Sequence, residues 1–105
     1  MPTSARLQLR SSQRKRLRGL AHPLHPVVQV GRGGLGEALL AAIDQELASH
    51  ELIKVRLAGE REERRAQAAA IEERLGCALA GLVGHVAILY RPAADLAERR
   101  IDPGA

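Results

Sequence analysis

Between Val27 and Leu57 the hydrophobic pattern changes period twice, and those changes lay out the middle of the chain. Val27, Val28 and Val30 form a β-branched run that predicts a strand over residues 26–30. Apolar groups on both of its faces point to a central place in a sheet. Leu35, Leu39, Leu40, Ile43 and Leu47 then recur at helical spacing and give a second helix one core-facing stripe. Leu52-Ile53-Lys54-Val55-Arg56-Leu57 alternates, with Ile53, Val55 and Leu57 on one face and Lys54 and Arg56 on the other, which predicts a half-buried strand.

The flanks follow the same logic. Ser11 or Ser12 can cap a short helix running to about Leu20, with Leu17, Leu20 and Ala21 on its apolar side. Pro23 and Pro26 then enforce an extended connector. Downstream, a break at Gly59 precedes a third helix over residues 60–75, with Ala68, Ile71 and Leu75 as a narrow stripe, and Gly76 ends it. Residues 77–83 and 86–91 read as two strands joined at Gly84-His85, where a glycine in first position suits a type II′ hairpin. Val86-Ala87-Ile88-Leu89-Tyr90 is apolar throughout, so both faces of the last strand need cover. Helices two and three supply one side, and the first helix or a partner chain at least part of the other.

The predicted order α-β-α-β-α-β-β is a single α/β domain around a four-stranded mixed sheet. The crossover between the first two strands is right-handed if they lie parallel in one sheet. Residues 1–10 are expected to form a flexible basic N-terminus, 11–92 the folded domain and 93–105 a loosely held tail. The acid-free, Arg- and Ser-bearing start resembles a transit peptide, yet the basic pattern runs straight into Leu17-Arg18-Gly19-Leu20, and a cytoplasmic location is the expectation.

Charge sharpens this picture more than composition does. Residues 1–34 carry seven basic side chains and no acid, whereas residues 35–105 carry nine basic and twelve acidic ones, so a net +4 divides into +7 and −3. A local basic region beside a neutral-to-acidic body is the footprint of a nucleic-acid binder, with an anionic membrane surface as its competitor. The single aromatic residue, Tyr90, rules out stacking of bases on a platform of rings, so RNA would be held through phosphates, sugars and shape. Cys77 alone permits neither an internal disulfide nor a CxxC pair and points to a reducing compartment. No apolar run approaches the ~18 residues of a membrane span.

Candidate chemistry is sparse. His22 and His25 lie three apart without further ligands nearby, so no metal is expected. Cys77, His50, His85 and Glu51 form no recognisable nucleophile-base set, and neither an enzyme, a cofactor nor a small-molecule substrate is expected. The Glu60–Arg65 run reads as a solvated face. The strongest motif is Gly31-Arg32-Gly33-Gly34, flanked by a strand and a helix and carrying an arginine. Such a junction presents backbone N–H groups and a helix N-terminus to a phosphate. It lacks the Lys-Ser or Lys-Thr of a Walker loop, and a tight structural turn is its competing reading.

Four blocks, in order, carry a more specific signal: Leu17-Arg18-Gly19-Leu20-Ala21-His22, Pro26-Val27-Val28-Gln29-Val30-Gly31-Arg32-Gly33-Gly34-Leu35, His50-Glu51-Leu52-Ile53-Lys54-Val55 and Leu89-Tyr90-Arg91-Pro92. Together they closely resemble the CRM domain in its free-standing bacterial, YhbY-type form. The resemblance implies a fold like the C-terminal domain of bacterial translation initiation factor three. It also implies RNA binding and association with precursors of the large ribosomal subunit.

On this reading Gly31, Arg32, Gly33 and Gly34 form the phosphate-contacting GxxG loop. Arg14, Lys15, Arg18 and His22 widen the basic surface, and Lys54, Arg56 and Arg91 continue it where their strand faces are open. The family often has Thr or Ser where this chain has Gly36, which removes a capping hydroxyl, and the often basic tail is mixed here. A general DNA or transfer-RNA binder, or a protein-interaction adaptor with a basic arm, are the alternatives.

Overall fold

In the computed structural model, which describes residues 7–31 and 33–104, helices α1 (Ser11–Ala21), α2 (Glu37–His50) and α3 (Arg61–Leu75) pack on strands β1 (Pro26–Gln29), β2 (Leu52–Arg56), β3 (Ala78–Val83) and β4 (Val86–Tyr90). The helix ends follow from local chemistry. α1 begins one residue before the expected serine cap: Arg10 is the N-cap, and its N–H is taken by Oε1 of Gln13 at 2.9 Å, leaving Ser11 and Ser12 in the first turn. Glu63 does the same for α3 by accepting from the Glu60 N–H at 2.7 Å. Gly76 closes α3 in the left-handed region at φ +64°, its N–H returning to Glu72 O.

The sheet has the order β1-β2-β4-β3, with β1 parallel to β2 and the other pairs antiparallel. The β3–β4 turn is the glycine-first type expected, with Gly84 at φ +58° and no positive φ at His85. β1, however, lies at an edge, which corrects the expectation of a central strand. Val28 and Val30 turn inward, but Val27 on the opposite face stays 45% exposed, sharing an open cleft with Leu20 at the end of α1. Pro26, which has no N–H to donate, suits that edge.

Two apolar layers enclose the sheet. α2 and α3 bury Leu40, Ile43, Leu47, Ala68 and Ile71 against Ile53, Val55 and Leu89. On the other face α1 sets Leu17 and Ala21 onto Leu52, Ala78, Ala80, Ile88 and Tyr90, so the first helix does provide the second cover. Leu17 is fully buried, which contributes roughly 1.5–3 kcal/mol. The cover is partial: α1 rests on the half of the sheet that holds Leu52 and Tyr90, and the half that holds Lys54, Arg56, Val83 and Val86 stays open.

Both termini depart from the expected loose segments. Residues 1–6 of the basic N-terminus lie outside the described residues, but Leu9 is buried and Leu7 packs with it on the α1 side. The tail runs back across the domain and is tied to Glu51. That carboxylate accepts from the N–H groups of Ala93 (2.6 Å), Arg100 (2.7 Å) and Ile101 (2.9 Å). Ile101 adds to the α1-side core, and Gln13 donates to Gly104 O.

Candidate nucleic-acid interface

The open half of the sheet and the end of α1 form a groove of about 420 Å³, lined by Arg18, His22, Pro26, Lys54, Arg56, Val83, Val86 and Ile88. Among the described residues no carboxylate lines it. Strand alternation explains half of the set: with Ile53 and Val55 committed to the α2–α3 core, Lys54 and Arg56 must face α1. Helical spacing explains the other half, since Lys15, Arg18 and His22 fall at i, i+3 and i+7 and make one exposed stripe leading into the groove.

Two of these cations are held in place by the fold. Lys54 Nζ donates to His22 O at 3.2 Å and Leu24 O at 3.0 Å, which satisfies carbonyls at the negative end of α1 and leaves one of its three N–H groups for a ligand. Arg18 lies along a β-bulge. The β3–β4 register slips between Leu79 and Gly81, so Ala80 and Gly81 both turn towards α1. The Arg18 guanidinium donates to Ala80 O at 2.9 Å, and its stem crosses Gly81. Arg56 is exposed, and its guanidinium has no hydrogen bond or ion pair among the described residues.

The glycine loop meets this groove at the end of the sheet. Gln29 pairs with Arg56, and the Val30 N–H bonds Arg56 O at 2.8 Å, so Gly31 leaves the sheet beside Arg56. Gly34 takes φ +74° and its N–H closes a turn onto Gly31 O at 3.0 Å, so it is not among the N–H groups offered outward. Those of Gly33 and Leu35 are unengaged among the described residues. Arg32, assigned to the loop tip from the sequence, lies outside the described residues.

Gly36 is the N-cap of α2 with no side-chain cap, and the helix starts at Glu37 rather than at Leu35, which nonetheless packs on the core. The absent hydroxyl therefore leaves the first-turn N–H groups without a side-chain cap. Glu37, the one acid of that turn, is drawn towards α3 by Arg74, whose Nη2 donates to its Oε2 at 2.8 Å.

Three predicted residues stand differently. Lys15 is exposed on the α1 stripe. Arg14 turns back to Leu9 O at 2.8 Å and serves the N-terminal segment. Arg91 is separated from the rest: it follows β4 at the opposite end of the sheet, where its guanidinium binds Asp44 Oδ1 at 2.6 Å and Leu75 O at 2.9 Å. Its strand face is closed by α2 and α3, so the condition placed on Arg91 is not met. The groove floor of Val83, Val86 and Ile88 and the support from Gly81 were not anticipated. An uninterrupted apolar run at Val86–Tyr90 signals cover on both faces, whereas Val86 is only half-buried and Val83 is 61% exposed. Tyr90 is buried beneath α1 and offers no ring to a base.

A sequence model described as the CRS1 / YhbY (CRM) domain matches residues 9–91. A Haemophilus influenzae protein named RNA-binding protein is 43% identical over 88 residues, covering 83% of this chain and 89% of that one. The Pseudomonas aeruginosa protein with the name Probable RNA-binding protein PA4753 is 37% identical, covering 81% and 83%. Among solved structures, that of SAV1595 from Staphylococcus aureus superposes with a TM-score of 0.78 at 29% identity, covering 90% of this chain and 100% of that one.

Proposed function

This chain belongs to the CRS1/YhbY (CRM) domain family, and we propose from that premise that it binds RNA, through a glycine loop and an acid-free groove, and acts in assembly of the large ribosomal subunit. The observation that carries the reading is the convergence of Arg18, His22, Lys54 and Arg56, from two separate elements, on one groove beside the loop. A solvated charged face would have acids interspersed and no need of fixed cations. Here Arg18 and Lys54 are oriented before any ligand arrives, which lowers the entropy cost of binding.

In the mechanism, N–H groups of Gly33, Leu35 and the uncapped first turn of α2 hold a phosphate at the positive end of the helix. Arg56 and the free N–H of Lys54 hold the neighbouring phosphates, and Lys15 extends the path along α1. With roughly four phosphates neutralised, the logarithm of affinity falls against the logarithm of salt concentration with a slope near −3 to −4. A slope near zero for ribosomal RNA contradicts this mechanism. For the cellular role, the protein is expected to sediment with precursors of the large subunit in a sucrose gradient. Sedimentation only as free protein contradicts the assembly role.

A further inference from the structure

We propose that the groove between α1 and the open half of the sheet takes an unpaired nucleotide, its base lying on Val83 and Val86, so that the RNA bound is single-stranded at this point. The inference rests on the RNA-binding reading and adds to it the class of RNA.

A surface that only collects phosphates has no use for an apolar floor. This groove has one, and Val83 stands 61% exposed on it, opposite Val86 in the hairpin register. Leaving such a side chain in water forgoes part of its burial, a cost that an apolar ligand face would reverse. The rim is chemically the opposite: Arg18, His22, Lys54 and Arg56 all border it, and no acid does. A flat apolar body with an anionic edge matches this division, and a nucleotide is such a body.

The walls set the rest of the specificity. Pro26 on one side and Val83 on the other confine a volume of about 420 Å³, which is within the size of a small-molecule site. A double helix can touch the rim but cannot place a base on the floor, because its bases are stacked inside. Without aromatic rings, the second face of the base is served by a guanidinium plane. Arg18 is the guanidinium at hand, held at the groove by its hydrogen bond to Ala80 O with its stem across Gly81.

The test uses the full chain with labelled valine and isoleucine methyl groups, titrated with a short oligouridylate, a short oligoadenylate and a blunt RNA duplex of equal charge. At least one oligonucleotide is expected to shift the Val83 and Val86 methyl signals, and the duplex to leave them in place. Val83→Ser, at a largely exposed site, is expected to weaken oligonucleotide binding about tenfold with duplex binding unchanged and thermal unfolding little affected. Val86→Ser repeats the measurement from the neighbouring strand. If single strands and duplex bind equally and the floor methyls stay silent, the nucleotide site is wrong while RNA binding stands. If an acidic peptide shifts these methyls and no RNA does, both readings are overturned.

Discussion

The stem of Arg18 occupies the space that a side chain at Gly81 would fill: a Cβ built there would stand 2.6 Å from Arg18 Cδ. The glycine and the arginine are thus one device, joined by the bulge that turns Ala80 O towards the guanidinium. Gly81→Ala is expected to lift Arg18 off the sheet and break its bond to Ala80 O, at a cost of about 0.5–1.5 kcal/mol. RNA affinity should fall by several-fold, because a free arginine must be ordered again on binding. Thermal unfolding and a binding isotherm on the same sample measure the two effects. Unchanged affinity would separate Arg18 from the interface.

The two inner glycines of the loop are expected to respond differently to the same substitution. Gly34 sits at φ +74°, whereas Gly33 has no positive φ, and neither has a neighbour within 4 Å of an added Cβ. Gly34→Ala should therefore destabilise the fold by about 1–2 kcal/mol through backbone strain alone, and Gly33→Ala should be near neutral. Gly33→Asp keeps the backbone but sets a carboxylate where the phosphate is proposed to lie. It should abolish RNA binding with thermal unfolding nearly unchanged. Undiminished binding by Gly33→Asp would reduce the loop to a structural turn.

Cys77 is expected to be inert in the folded protein. It is buried, and burial first, with the Glu72 carboxylate second, pushes its thiol up to about 12. At neutral pH almost no thiolate exists to attack a reagent. An aromatic disulfide reagent should label the native protein only as fast as it unfolds, and label it at once in strong denaturant. Rapid native labelling at neutral pH would show that the site opens locally.

The parts of the fold that depend on local periodicity and turn chemistry were legible in the sequence: three helices, the alternating strand, the glycine-first hairpin and the left-handed stop at Gly76. The edge position of β1 was not. Adjacent valines report apolar groups on both faces, but whether the outer one is covered depends on where α1 comes to rest. The groove was half legible. Alternation placed Lys54 and Arg56 on one face, but nothing local shows that this face meets the cations of α1. Gly81 carries no signal of its own, because a bulge is defined by the partner strand. Arg91 looked like its basic neighbours until Asp44, 47 residues away in sequence, was brought beside it.

Glu51 is the buried acid of the domain at 2% exposure, and its stability contribution is expected to depend on pH. Burial alone would raise its pKa. Hydrogen bonds from the Ala93, Arg100 and Ile101 backbone, with Arg99 nearby, outweigh burial and hold it below the ordinary value of 4.5. A carboxylate depressed in the folded state stabilises fully above its unfolded pKa, and the contribution fades as pH falls through the folded value. Glu51→Gln removes this dependence and also replaces an acceptor by an NH₂ group facing backbone donors, since Oε1 takes two N–H groups and Oε2 takes one. At pH 7 the variant should lose about 1–3 kcal/mol by urea unfolding, with the difference from the parent shrinking as pH falls below the ordinary carboxylate value. The tail amides of residues 100 and 101 should lose hydrogen-exchange protection, and RNA binding should persist, because Glu51 lies at the end of the sheet away from the loop. A difference that is constant with pH would show that Glu51 acts through shape alone and not through its charge.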